Sequence, residues 1–161
     1  MKFKDFLMKA KRKTFASRWA IPKGVFSDSR SYFFAEGGFE YLDEYRGVVN
    51  DKGSEIVSLD GEKIWSMDYA GGMNEGYERF SRKTFRFLKK CLRNSPEDFP
   101  VRGPKLHQKG KWIYENNWDG NLDSFEGKER IALDGEEVYS RKYSGGKICS
   151  EKSLDGLCET S

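Results

Sequence analysis

The sequence predicts an α+β domain built as a duplicated helix-plus-antiparallel-meander unit, with two helices on a curved, mainly antiparallel sheet. Three observations predict it. The segment Gly53–Gly72, GSEIVSLDGEKIWSMDYAGG, returns 74 positions later as Gly127–Gly146, GKERIALDGEEVYSRKYSGG, identical at 10 of 20 positions. Each copy holds alternating strand-like runs around an Asp-Gly pair. Each is preceded by a segment with helical apolar spacing. A repeat longer than a solenoid unit and present twice reads as one domain made by duplication. Runs of strands with one helix per half argue against a parallel α/β fold.

The elements follow in order. Phe3, Phe6, Leu7 and Ala10 have the i, i+3, i+4, i+7 spacing of an amphipathic helix. A strand over Ser31 to Ala35 and a turn at Gly37-Gly38 lead into Phe39-Glu-Tyr-Leu-Asp-Glu-Tyr-Arg-Gly47, which alternates. Asp60-Gly61 then signals a two-residue hairpin, because a type I′ turn needs positive φ at both central positions. Counted back from that turn, Val57 faces Ile64, Ile56 faces Trp65 and Glu55 faces Ser66. Side chains alternate along a strand. One face is therefore aliphatic (Val57, Leu59, Ile64) and the other aromatic and mixed (Ile56, Trp65, Met67, Tyr69). The aliphatic face is taken as the core.

Tyr77, Phe80, Thr84, Phe87, Leu88, Cys91 and Leu92 mark a second, longer helix over 77–93. Pro96 stops it, and Pro96 to Pro104 is a rigid, turn-rich connection. Lys105 to Gln108, Gly110, Trp112 to Gly120 and Asp134-Gly135 repeat the meander. There Ile131, Leu133 and Val138 form the aliphatic face, and Arg130, Tyr139, Arg141 and Tyr143 the other. The domain spans 1–148, in units of about 3–73 and 77–148. Residues 149–161 lack periodicity and read as a flexible tail.

At 161 residues, one domain with a real core is expected. The 34% of charged residues fits a soluble protein. Cys91, Cys149 and Cys158 are an odd number without framework spacing, so reduced thiols in a cytoplasm are expected. The N-terminus has no apolar stretch long enough for a signal peptide or a membrane span.

With these segments placed, the chain resembles an uncharacterised bacterial and archaeal domain family, found alone or behind an XRE-type helix-turn-helix domain. The residues that carry the resemblance are Phe6 to Ala10 with Thr14-Phe15-Ala16-Ser17, then Phe39 to Gly47, Trp65 to Gly72, Phe99 to Pro104 and Tyr139 to Gly146. It covers roughly residues 3 to 148. The resemblance implies no activity. It implies a stand-alone member, because the chain has no room for a helix-turn-helix, and DNA binding does not carry over.

The candidate ligand site is the aromatic stripe that holds one polar residue in each copy. It comprises Tyr41, Asp43, Tyr45, Trp65 and Tyr69, with Tyr114, Asn116, Trp118 and Tyr143. Ligand pockets are mostly apolar and aromatic with few placed polar groups. A core face near a sheet end would use the same residues. Glu55 and Glu129 recur in both copies, and two carboxylates near a pseudo-twofold would suit acid–base chemistry. Local ion pairing explains them more simply. Gly71-Gly72 and Gly145-Gly146 lack a phosphate-loop pattern and read as close backbone approach. His107, the sole histidine, has no nucleophile elbow beside it and reads as a surface or half-buried residue.

The second helix carries Arg79, Arg82, Lys83, Arg86, Lys89, Lys90 and Arg93 opposite its apolar stripe. Such a stripe suits phosphate contacts, yet the chain is only +3 overall, and a solvated face is the simpler reading. The sequence is therefore read as a non-catalytic small-molecule-binding or sensing domain that uses an aromatic cleft. The alternative is a module that binds an acidic partner or nucleic acid through the basic face of helix 77–93. No cofactor and no metal are expected. The partners implied are a small molecule and a second copy in a homodimer; nucleic acid is disfavoured and no membrane is implied.

Overall fold

The computed structural model describes residues 1–24 and 28–149. The expected tail beyond Cys149, with Cys158, lies outside the described residues. The chain runs α1 (Phe3–Lys13), β1 (Lys23–Gly24), β2 (Ser29–Glu36), β3 (Phe39–Gly47), β4 (Asn50–Leu59), β5 (Glu62–Met73), a 3-10 turn (Glu78–Phe80), α2 (Ser81–Leu92), β6 (Leu106–Lys109), β7 (Trp112–Asn121), β8 (Ser124–Leu133) and β9 (Glu136–Lys147). All nine strands form one antiparallel sheet in the order β1-β2-β3-β4-β5-β9-β8-β7-β6.

This corrects the expected α+β class. The fold is dominated by one continuous nine-stranded sheet, and its two helices span only 11 and 12 residues. The apolar stripes were long enough to mark helices but too short to build a layer. Each helix covers part of one sheet face. The last strands of the two meanders, β5 and β9, pair with each other and make the sheet continuous, with Tyr69 opposite Tyr143.

Both Asp-Gly pairs are tight hairpin turns. Asp60 and Asp134 have φ of 50° and 52°, and Gly61 and Gly135 have φ of 84° and 81°. Each turn is tied to the preceding one: Asp60 N donates to Gly38 O at 2.9 Å, and Asp134 N to Lys111 O at 3.1 Å. No atom lies within 4 Å of a Cβ built on either glycine, so conformation and not space restricts the position. Valine at 61 or 135 is expected to cost about 1–3 kcal/mol, because a β-branched residue resists positive φ. A lower urea midpoint at constant slope would show it. Full stability would mean that the turn does not need this backbone.

The expected strand register fails two residues from each turn. A one-residue bulge places Val57 opposite Trp65 and Ile131 opposite Tyr139, leaving Ile64 and Val138 as the extra residues. A one-residue slip moves side chains to the other face. Trp65, Met67 and Tyr69 therefore share a face with Val57, and Tyr139, Arg141 and Tyr143 share one with Ile131. The core face therefore mixes the two expected ones: Val57 and Ile131 of the aliphatic face lie with Trp65, Met67, Tyr69, Tyr139, Arg141 and Tyr143 of the other, whereas Ile56 and Arg130 lie outside it. Leu59, Ile64 and Leu133 are only partly buried.

α1 packs Phe6, Leu7 and Ala10 against Phe39, Tyr41, Val57, Trp65 and Met67. α2 packs Phe87, Leu88, Cys91 and Leu92 against Tyr114, Ile131, Val138 and Tyr139. No helix among the described residues is long and apolar enough to cross a membrane.

Candidate functional site

Beneath the helices, the sheet carries a row of polar residues at matching places in its two halves. Asp43 lies opposite Glu55, which lies opposite Met67. Asn116 lies opposite Glu129, which lies opposite Arg141. All the polar members are buried, with Asn116 and Glu129 at 0% exposure. Burial of a charge is costly unless it is paired, and the two glutamates draw their cations from different covering segments.

In the second half, the connection after α2 supplies Arg102. Its guanidinium grips Glu129 through Nη2 and Nε. Glu129 also accepts from Tyr114 Oη at 2.6 Å and Tyr139 Oη at 2.7 Å. Asn116 accepts from Tyr143 Oη at 2.6 Å and donates to Gly103 O at 2.9 Å. Gly103 N donates to Tyr114 Oη at 3.0 Å. This half is a closed hydrogen-bond network. Burial alone would raise the Glu129 carboxyl, but the Arg102 charge and bonds, then Arg141 and Tyr114, hold it below the ordinary value.

The first half is built alike and finished differently. Tyr69 crosses Gly53, its cross-strand neighbour, to reach Asp43 Oδ1 at 2.6 Å. A Cβ at Gly53 would lie 2.4 Å from the Tyr69 hydroxyl, so only glycine admits the ring. Gly127 makes the same room for Tyr143. Glu55 pairs with Lys11 Nζ of α1 at 2.6 Å. Asp51 pairs with Arg141 Nη2 at 2.7 Å. The Arg141 guanidinium lies 5.1 Å from the Tyr69 ring centre and 5.5 Å from that of Tyr139, close enough for cation–π attraction. Its Nε has no hydrogen-bond partner among the described residues.

A cavity of about 30 Å³ remains here, lined by Asp43, Asp51, Glu55, Lys11, Arg102, Arg141, Tyr41, Tyr45 and Tyr69, under the Thr14–Ala16 segment that follows α1. It has room for a water molecule or two. Arg102 is committed to Glu129, so three carboxylates here face two remaining cations. The imbalance shifts the proton affinities of the cluster. Burial, then the Glu55 charge, pushes the Asp43 carboxyl up to about 7, against the Tyr69 bond and the Lys11 charge. Burial pulls the Lys11 ammonium down, opposed by Glu55. Asp43 can thus hold or release a proton near neutrality.

The nine stripe residues do not all form one aromatic cleft, although Tyr45, Tyr69, Trp118 and Tyr143 line a common open groove. Tyr41, Asp43, Tyr45 and Tyr69 line the cavity, whereas Tyr114, Asn116 and Tyr143 belong to the closed network. Trp65 is core, its indole N–H on Leu122 O at 3.0 Å. Trp118 stacks on Phe99 with ring centres 4.6 Å apart. Glu55 and Glu129 pair with different cations. Gly71 and Gly145 lie in the β5–β9 pairing, where a Cβ would fall 2.3 Å from Ser140 O and 2.1 Å from Ser66 O. His107 is half-buried against Phe87.

Of the helix cations, Arg79 sits over Phe80 in the 3-10 turn. Arg82, Lys83 and Arg86 are exposed, and Lys89, Lys90 and Arg93 half-buried. Burial, then the Glu129 charge, pushes the Cys91 thiol up to about 12. No group of three or more His, Cys, Asp or Glu among the described residues is placed to hold a metal ion.

Lys11, Asp51, Arg102 and Arg141 were not foreseen as site residues. Lys11 continues the Phe3–Leu7 stripe by one further turn, which was a readable signal. Arg141, flanked at alternate positions by Tyr139 and Tyr143, was another. Asp51 and Arg102 carried none.

Fold and site together define a sheet-dominated domain with a buried ionic cluster roofed by an N-terminal helix. The chain belongs to the family described as "Domain of unknown function (DUF5680)", whose model matches residues 29–148. That span begins at β2, so α1 and Lys11 precede it. Comparison with curated proteins and with solved structures gives no match.

Proposed function

We propose that this domain is a non-catalytic small-molecule-binding or sensing module, and that its ligand is a small polar molecule bearing an amine, taken up beneath α1. The cavity at Asp43, Asp51 and Glu55 carries the reading. Three carboxylates with two uncommitted cations leave one excess negative charge, which a proton on Asp43, its carboxyl pushed up to about 7 by burial and then by Glu55, can offset. A cationic amine would replace that proton among the Tyr41, Tyr45 and Tyr69 rings, where cation–π attraction assists. A cluster of perturbed titratable groups around a cavity is a reasoned site candidate. Anything larger than water requires the Thr14–Ala16 segment to lift, which would turn occupancy into a movement of α1. The resemblance to domains carried alone or behind XRE-type regulators of bacteria and archaea supports a sensing role, in a cytoplasm.

Thermal denaturation with panels of small amines, carboxylic acids and neutral polar compounds tests this. A ligand at 100 times its Kd adds about 2.7 kcal/mol, which for a domain of this size raises Tm by roughly 5–10 °C. An amine should give such a rise, larger at pH 8 than at pH 6, and absent in Asp43→Asn. A rise given only by carboxylic acids, or retained in Asp43→Asn, would refute the assignment.

A further inference from the structure

A second concave site lies away from the ionic cluster, on the outer side of α2. A groove of about 1200 Å³ runs between α2, the Ser17–Arg18 segment and the β6–β7 turn. Nine Lys and Arg side chains line it and no Asp or Glu does. Among the described residues only one of the nine, Lys111, has a carboxylate within ion-pair distance, Asp134 at 3.5 Å. Lys90 is held below its usual value first by Lys109 beside it, then by desolvation and by Arg18 and Arg93. The net charge of +3 conceals this concentration, because the acidic residues lie elsewhere.

We propose that this groove binds single-stranded nucleic acid through its phosphodiester backbone. Arg82, Arg86 and Lys90 succeed one another at i, i+4 and i+8, about 6 Å apart along the helix axis at 1.5 Å per residue, and so present a line of charges to an extended polyanion. Lys109 and Lys111 face them from the β6–β7 turn. Guanidinium forks suit phosphate oxygens. The groove floor includes half-buried Phe85 and Trp112, and Trp19, next in sequence to Arg18, is 87% exposed. Aromatic faces beside a basic track are what base stacking requires. A flexible strand can enter a groove, whereas a rigid duplex or a bilayer surface would bridge it. An acidic polypeptide would match the charge but make no use of the rings.

Fluorescence anisotropy of the full chain with labelled oligo(dT) and oligo(U) tests the proposal, with duplex DNA, polyglutamate and anionic vesicles as competitors. At about 50 mM salt, one or both single strands should bind, with affinity falling as salt rises. Three or four phosphate contacts give a log–log slope of about −2 to −3. The two single strands report whether the sugar is read. Arg82→Glu/Arg86→Glu/Lys90→Glu should weaken binding at least about tenfold with circular dichroism unchanged. If that variant misfolds, the neutral pair Arg86→Gln/Lys109→Gln replaces it and should lose several-fold. Trp19→Ala should weaken binding and leave the salt slope intact. Absence of binding at low salt, preference for duplex, polyglutamate or vesicles, or full binding by a folded charge variant would overturn the proposal.

Discussion

Arg102→Met is expected to lower stability by about 3–5 kcal/mol, because removing one partner of a buried ion pair strands the other. Arg102 is 4% exposed and Glu129 fully buried. Without the guanidinium, Glu129 keeps two tyrosine hydroxyls but faces the core as an uncompensated charge. The pH dependence identifies the cause. In the natural chain the Glu129 carboxyl is held below its ordinary value. Its contribution is thus present above the unfolded pKa, near 4.3, and is lost as pH falls through the lower folded value. In Arg102→Met the carboxyl rises instead, so the deficit should be largest near neutrality and shrink toward pH 4 as Glu129 takes a proton. Adding Glu129→Gln should recover much of the loss. Urea denaturation across pH measures this. A deficit that ignores pH would mean that lost packing, not stranded charge, is responsible.

Asp43→Asn is expected to stabilise the protein by on the order of 1–3 kcal/mol at pH 8 and to do nothing at pH 4. The Asp43 carboxyl is raised to about 7, first by burial and next by Glu55. A raised folded pKa means that the native state holds the proton more tightly than the unfolded chain. The stabilisation is full below the unfolded value, near 3.9, and is lost as pH rises through about 7. Asparagine removes that loss and keeps an acceptor for the Tyr69 hydroxyl. The molecule contains its own precedent: at the matching place Asn116 accepts the hydroxyl of Tyr143 at 2.6 Å. Denaturation at pH 4, 6 and 8 would show the two curves diverging as pH rises. Parallel curves would place the cost elsewhere.

The turns, eight of the nine strands and the apolar stripes of both helices were readable from Asp-Gly pairs, alternation and i, i+4 spacing, because these are local; the two-residue β1 carried no such pattern. The bulge was not. Nothing in Ser58 to Ile64 announces an extra residue, yet it turns the β5 and β9 residues beyond it, Trp65 and Arg141 among them, to the buried face of Val57 and Ile131. Sheet dominance was also unreadable, since it depends on β5 meeting β9 and no turn joins them. For the candidate site, Tyr41, Asp43, Tyr45 and Tyr69 were found through their spacing. The ionic half of the site was missed because it is assembled from Lys11, Asp51, Arg102 and Arg141, which only tertiary structure brings together.

The β5–β9 pairing also bears on how the chain reaches its folded state. Every other strand pairing joins chain neighbours, such as Glu36 with Phe39, Leu59 with Glu62 and Leu133 with Glu136. These hairpins close short loops and can form early, one upon another. The pairing of Met73 with Tyr139 must instead close over the whole of α2 and the strands β6 to β8. Loop-closure entropy and non-local contacts slow folding, and here both are concentrated in one event. During synthesis that event waits until β9 has emerged. Until then the long strand β5 stands as an open edge, free to pair with another chain.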